Sequence, residues 1–290
     1  MEKLPKKEIA GFVLKPNSPE IKEIYFKVKE EFEKKKIKVL LSKESAKMIG
    51  EEEGVEFEEL LEISDFLVSL GGDGTLLSLV RRSYGKDKPI LGINAGNLGF
   101  LADIRLDDVE NFLLQLMQDE YRIDERMMIE GFIQKADKKN VEFYAFNDVV
   151  ITREVVSKMV NIDAFINNDW FNTYRGDGLI VSTPTGSTAY NLASGGPIIY
   201  PLTKAFIMTP ICPHSLTQRP LVVPVDFEIG LSSSQNKVIA IIDGQDSYQI
   251  QKGDIICLKG AKRGAKLLHR KERNYFSVLR EKLSWGGDLK

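Results

Sequence analysis

The chain opens with an apolar run, Ile9 to Leu14, that has the length of a buried strand, and a polar turn follows at Pro16 to Pro19. Beyond it Ile21, Ile24, Tyr25, Val28 and Phe32 recur at the spacing of one helix face. Lys34 to Lys36 reads as a solvated helix end whose charge complements the helix dipole, and Ile37 to Leu41 reads as a second strand. The alternation repeats with a strand at Phe66 to Leu70, a helix at Leu76 to Tyr84 and a strand at Pro89 to Asn94. Short apolar runs alternating with helical periodicity predict a parallel sheet with crossover helices. Asp107 and Glu110 have the spacing of a capping box opening a helix that carries Val109, Phe112, Leu113 and Leu116.

After about Glu125 the period changes. Met127 to Gln134, a turn at Asp137 to Asn140, and Val141 to Thr152 read as antiparallel strands. Met159 to Ile166 and Trp170 to Tyr174 form a hairpin around Asn167 to Asp169, and Lys237 to Ile242 and Asp254 to Leu258 continue the series. The expected organisation is an α/β, Rossmann-like domain over residues 1–125, then a β-rich, sandwich-like domain over 126–272. Residues 273–290 complete it with a C-terminal helix, Tyr275 to Leu283, that packs back on the first domain.

Composition adds exclusions. With 290 residues the prior is two domains, each able to bury a core. The 40 Lys+Arg against 42 Asp+Glu leave a net charge of -2, so no overall positive field draws the chain to nucleic acid or an anionic membrane. Two cysteines, Cys212 and Cys257, make no disulfide framework or CxxC pair, and two histidines, His214 and His269, make no His-based metal motif. Nothing approaches the ~18 apolar residues of a membrane span, and Met1 to Lys15 lacks the apolar core of an export signal. A cytoplasmic protein is expected.

The candidate chemistry starts at Gly71-Gly72-Asp73-Gly74-Thr75, at the carboxyl end of the third strand, the edge at which open α/β sheets bind ligands. Glycines there let backbone N–H groups approach a phosphate chain at a helix N-terminus. A carboxylate among them would repel that ligand unless it holds Mg²⁺ or accepts a proton from a hydroxyl attacking the phosphate. Asp73 therefore points to phosphoryl transfer, against the plainer reading of a tight turn in which it caps the helix. The chain has neither a Walker A pattern nor a GxGxxG. A second block runs from Tyr174-Arg175-Gly176-Asp177-Gly178 through Ser182-Thr183-Pro184-Thr185-Gly186-Ser187-Thr188-Ala189-Tyr190-Asn191. So many small residues and hydroxyls suit a sugar and base wrapped closely by backbone.

The glycine loop, Asn147-Asp148 and the Gly176 to Asn191 block stand in the order and spacing of the ATP-NAD kinase family, which the chain resembles from about Leu67 onward. Gly92-Ile93-Asn94 with Gly99-Phe100-Leu101, Pro210 to Leu216 with Arg219-Pro220-Leu221, Asp243-Gly244-Gln245 and Trp285-Gly286-Gly287 extend the resemblance. It implies the architecture shared by NAD and diacylglycerol kinases, and transfer of the ATP γ-phosphoryl to the 2′-hydroxyl of the adenosine ribose of NAD. Asp73 would then be the proton acceptor and bind NAD with Gly74, while Gly71, Gly72, Gly74 and Thr75 would meet phosphates. Asn147 and Asp148 would bind NAD, Asp148 standing where the family more often carries Glu. Lys158, Arg175, Asp177, Thr185 and Gln245 would add contacts, as would Thr188, Ala189, Tyr190, Asn191, Leu192 and Ala193. The metal implied is Mg²⁺ carried by ATP, not a dedicated protein site, and the assembly implied is a homodimer or homotetramer.

Phe100 is a candidate to cover an adenine. His214, set among Pro210, Pro213 and Pro220, reads as structural, and the aromatics at 143–146 read as sheet core. The competing functions are a lipid kinase of the diacylglycerol or sphingosine type, which shares only the glycine loop, and a non-catalytic dinucleotide-binding regulator.

Overall fold

The computed structural model describes residues 3–96, 99–135, 140–154, 159–235 and 238–286. The chain divides into two compact units, Met1–Glu125 with Ala265–Lys290, and Arg126–Gly264.

The first unit is built from β1 (Ile9–Leu14), α1 (Lys22–Lys34), β2 (Lys38–Leu41), α2 (Lys43–Ile49), α3 (Phe57–Ile63) and β3 (Phe66–Gly71). It continues with α4 (Asp73–Arg82), β4 (Ile90–Asn94), β5 (Ile104–Arg105), α5 (Val109–Met117) and β6 (Tyr121–Arg126). The sheet order from β2 is β2-β1-β3-β4, with β1, β2, β3 and β4 parallel. All six residues of β3 are buried, which is why that strand reads as an apolar run interrupted only by Ser69. Because the chain steps from β1 to β2 on one side and later to β3 on the other, the carboxyl ends of β1 and β3 face each other at a topological switch point. There the Lys15 N–H donates to the Leu70 carbonyl at 2.8 Å.

The periodic helix places Tyr25, Val28 and Phe32 in the core, and Phe32 meets Phe12 edge-on with ring centroids 5.0 Å apart. Two short helices, α2 and α3, fall where the pattern gave no element; α2 starts with Ser42, whose side chain accepts from the Ser45 N–H. The expected capping box does not form. A 3₁₀ turn over Leu106–Asp108 leads into α5, and the capping position, Asp108, has helical backbone and makes no side-chain cap bond. A capping side chain needs extended backbone to fold back on the helix.

The second unit contains β7 (Ile129–Gln134), β8 (Val141–Ala145), β9 (Asp148–Arg153), β10 (Val160–Ile166), β11 (Asp169–Gly176) and β12 (Gly178–Ser182). After a short helix α6 (Tyr190–Ala193) come β13 (Ala205–Ile211), β14 (Leu221–Pro224), β15 (Ile229–Ser232), β16 (Val238–Ile242), β17 (Asp246–Ile250) and β18 (Ile255–Gly260). Two six-stranded sheets result, ordered β11-β10-β15-β18-β7-β8 and β14-β13-β12-β9-β16-β17. Phe143, Ile162, Leu231 and Leu258 from one and Val149, Ile151, Val181 and Phe206 from the other share one buried core, the arrangement of a sandwich.

Val141 to Thr152 is not one strand but two, β8 and β9, in different sheets. The interruption falls at Phe146 and Asn147, whose N–H groups go to the Asp243 carboxylate. The turn expected at Asp137 to Asn140 lies outside the described residues except for Asn140.

The chain re-enters the first unit at Ala265, earlier than the expected 273. The segment β19 (Ala265–Arg270) pairs in parallel with β4, Leu267 opposite Ile90 and Leu268 opposite Leu91, because its alternate residues are apolar enough to be a sheet strand. The helix α7 (Tyr275–Leu283) follows in that unit, capped by the Asn274 side chain. Among the described residues no helix is long and apolar enough to cross a membrane.

Candidate active site

In the first unit the chain leaves β3 at Gly71 and enters α4 with Gly72 as its capping residue, in extended backbone. Asp73 is thus the first residue of the helix and not its cap. Its side chain turns to the loop after β4: Oδ2 accepts from the Phe100 N–H at 2.8 Å, and Oδ1 from those of Leu101 at 3.1 Å and Ala102 at 3.0 Å. Gly99 is required by this grip, since a Cβ there would overlap the Asp73 carboxylate. A carboxylate offers about four lone-pair sites, so three N–H bonds fix its orientation and leave one site, on Oδ2. Phe100 is half-buried and serves this site through its backbone.

Gly71 and Gly72 line a cavity of about 290 Å³ together with Lys15, Ser18, Glu20 and Asn94. It lies at the switch point between β1 and β3, beside the start of α4, the end of a helix that favours an anion. Thr75 is buried behind it, against Gly71. Lys15 was not legible as a site residue, since one lysine among many carries no signal. Its place at the end of β1 sets it apart.

In the second unit Asp243 and Gly244 both take left-handed backbone, φ 52° and 65°, in the turn from β16 to β17. That turn aims the buried Asp243 carboxylate at three consecutive N–H groups, of Phe146, Asn147 and Asp148, at 2.8, 2.8 and 2.9 Å. The Asn147 carbonyl is held in turn by the Thr183 N–H at 2.8 Å and the Ser182 hydroxyl at 3.1 Å. Gly186 packs so close to that carbonyl that a Cβ would collide with it. With its backbone tied on every side, Asn147 keeps a buried side-chain Oδ1 that has no partner, and the buried Thr185 hydroxyl has none either. Orphaned buried polar atoms are costly and rare, and two in one knot of backbone mark places for a ligand's donors and acceptors. Asp148 is buried, and that burial, aided by the charge of Asp243, pushes its carboxyl up to about 7. In the sequence Asp243 stands only within the Asp243-Gly244-Gln245 motif, with no role of its own; the Asp-Gly turn was the available signal.

Other expected contacts are placed differently. Asn191 is fully buried and satisfied within the protein: its amide donates to the Ser187 and Pro197 carbonyls, both at 3.1 Å, and it accepts from the Thr209 hydroxyl at 2.6 Å. It shapes the loop rather than presenting itself to a ligand. Asp177 pairs with Arg153 at 3.0 Å, so its carboxylate already has a cation. Thr188 and Ala189 are half-buried beside Thr185, Leu192 is half-buried, and Tyr190 and Ala193 are exposed. Arg175 and Gln245 are exposed, and the Arg175 carbonyl accepts from the His214 N–H at 2.9 Å, which ties that exposed histidine to its turn. Of the 143–146 aromatics, Phe143 and Phe146 are core and Tyr144 is half-buried. Lys158 lies outside the described residues. Among the described residues no group of three His, Cys, Asp or Glu side chains could hold a metal ion.

Comparison with known proteins bears on both units. Residues 10–121 match the ATP-NAD kinase N-terminal domain, and residues 146–270 match the ATP-NAD kinase C-terminal domain. The chain is 51% identical to a NAD kinase of Sulfurimonas denitrificans over 95% of its own length and 96% of that protein's. It is also 51% identical to a NAD kinase of Wolinella succinogenes, over 99% and 98%. Among solved structures, yeast NADH kinase complexed with NADH superposes with a TM-score of 0.90 at 26% identity, covering 98% of this chain and 89% of that one. A NAD kinase from Archaeoglobus fulgidus in complex with ATP gives 0.76 at 26% identity, covering 95% and 98%. The lipid-kinase alternative, which rested on the glycine loop alone, has no counterpart in these matches. The chain belongs to the ATP-NAD kinase family, and phosphorylation of NAD by ATP is the reaction it carries out.

Proposed function

We propose that Asp73 accepts the proton of the adenosine-ribose 2′-hydroxyl of NAD as that oxygen attacks the ATP γ-phosphorus. The O–H bond breaks toward Oδ2, the new O–P bond forms, the bond from γ-phosphorus to the bridging oxygen breaks, and ADP leaves with NADP as the product. The observation that carries this reading is the carboxylate's orientation by three backbone N–H groups with one acceptor site left over. A turn residue needs no such fixed and unfinished geometry.

The donor enters as Mg²⁺-bound ATP, the metal arriving with the substrate. Gly71, Gly72 and Gly74 let backbone N–H groups approach its phosphates at the α4 N-terminus, and Lys15 adds a cation beside them. Asn147, Asp148 and Thr185 hold the dinucleotide, Asn147 and Thr185 through the buried polar atoms that lack partners. Arg175, Thr188, Ala189 and Gln245 add outer contacts. The enzyme works in the cytoplasm as a homodimer or homotetramer, the latter checked by light scattering.

The deciding experiment is NADP formation by purified Asp73→Asn protein supplied with ATP, Mg²⁺ and NAD. We expect kcat to fall roughly 10²-fold or more, the usual effect of removing a general base, with the melting temperature near that of the parent. A near-parental kcat overturns the assignment.

A further inference from the structure

Behind the loop that holds Asp73 lies a buried charged cluster that nothing above uses. Arg273, after β19, pairs its Nε with the Asp103 carboxylate. Asp103 also meets the His269 Nδ1 at 3.2 Å, and the far ring nitrogen lies 3.3 Å from Arg273 Nη1 and 3.7 Å from Asp124. The Arg273 and His269 side chains are 5% and 1% exposed. Burial pushes the Asp103 carboxyl up, but His269 and Arg273 outweigh it and hold it below the ordinary carboxylate value. Four charged or titratable side chains out of water cost stability unless each is paired, and such a cluster is retained where it fixes a geometry.

The geometry it fixes is at hand. Arg273 Nη2 donates to the Phe100 carbonyl at 2.7 Å, and the Phe100 N–H donates to Asp73 Oδ2 at 2.8 Å. Leu101 and Ala102, which supply the other two N–H groups, follow directly, and Asp103 comes next in the chain. The segment that grips Asp73 is thus anchored at both ends, by Arg273 on the Phe100 carbonyl and by Arg273 and His269 on the Asp103 carboxylate.

We propose that Arg273, locked by Asp103 and His269, is a positioning residue for phosphoryl transfer that sets the Phe100–Ala102 amides and through them the free acceptor site of Asp73. This rests on the reading of Asp73 as the proton acceptor. Displacement of a reacting group by about 1 Å can cost on the order of 10²-fold in rate without touching substrate affinity, and a guanidinium two bonds of contact away has that leverage.

The test is steady-state kinetics on Arg273→Met and Arg273→Lys proteins, each alone and combined with Asp73→Asn, with a melting curve for every variant. Arg273→Met should lower kcat about ten- to a hundredfold with little change in KM for NAD or ATP. Arg273→Lys, which keeps a cation for Asp103, should recover part of that loss. In the Asp73→Asn background neither substitution should lower kcat much further, because the group they position is already gone. If Arg273→Met fails to fold, the same comparison runs on Arg273→Lys, with a smaller loss and the same non-additivity expected. Equal losses in both backgrounds, or a loss confined to KM, overturn the proposal while leaving the proton acceptor in place. A near-parental rate for Asp73→Asn alone removes the acceptor reading and this proposal with it.

Discussion

The Asn147 N–H lies 2.8 Å from the Asp243 carboxylate, which also receives the N–H groups on either side of it, from Phe146 and Asp148. This one side chain takes the N–H groups at the break between β8 and β9, where Asp148 resumes strand pairing opposite Ser182. Asp243→Asn exchanges one acceptor oxygen for an NH₂ that faces an N–H, so at least one buried donor loses its partner. We expect a stability loss of about 1–3 kcal/mol, read by denaturant unfolding. KM for NAD should rise as Asn147 loses its fixed backbone. Unchanged stability and KM would show that the clamp is dispensable.

Asp148 gives a pH-dependent expectation. Its carboxyl is raised from 3.8 to about 7, by burial first and then by the charge of Asp243. Below the unfolded value both states are protonated. Between the two values the folded state keeps a proton that the unfolded state has lost, so stability falls as pH rises toward about 7 and the penalty is constant above it. Asp148→Asn should therefore raise the melting temperature of the ligand-free protein more at pH 8 than at pH 5. An equal shift at both pH values would mean that the carboxyl titrates normally.

Lys15 stands in the cavity with Gly71 and Gly72, and its ammonium has no carboxylate partner among the described residues. Lys15→Met keeps the stem and removes the charge. KM for ATP should increase several-fold, on the order of 1 kcal/mol of lost phosphate attraction, while KM for NAD moves little. A change confined to NAD would place the lysine on the acceptor instead.

Acceptor selectivity should follow from positioning. If Asn147, Asp148 and Thr185 hold the dinucleotide, binding energy from its remote half orients the reacting ribose, so a truncated acceptor loses kcat as well as affinity. AMP should be phosphorylated far more slowly than NAD at saturation of each. Equal saturated rates would mean that only the adenosine end is read.

Much of this protein was settled by local pattern. The largely apolar, buried runs of β1, β3 and β4 and the helical spacing of α1 announce a parallel sheet, because a strand covered on both faces keeps few polar positions. The helix at Tyr275–Leu283 and the hairpin of β10 and β11 were equally legible, and the glycines around Asp73 marked the site, because each expresses a short-range rule of spacing or backbone freedom. Contacts between residues far apart in sequence decided the rest. That β19 lies beside β4, that Val141 to Thr152 splits at Asn147, and that Asn191 is spent on the protein's own loop depend on partners that no local period encodes. The same holds for the two carboxylates that each gather three backbone N–H groups. Asp73 and Asp243 declare themselves acidic in the sequence, but only the fold brings Phe100 to one and Phe146 to the other, because an unpaired N–H selects its acceptor by distance in space.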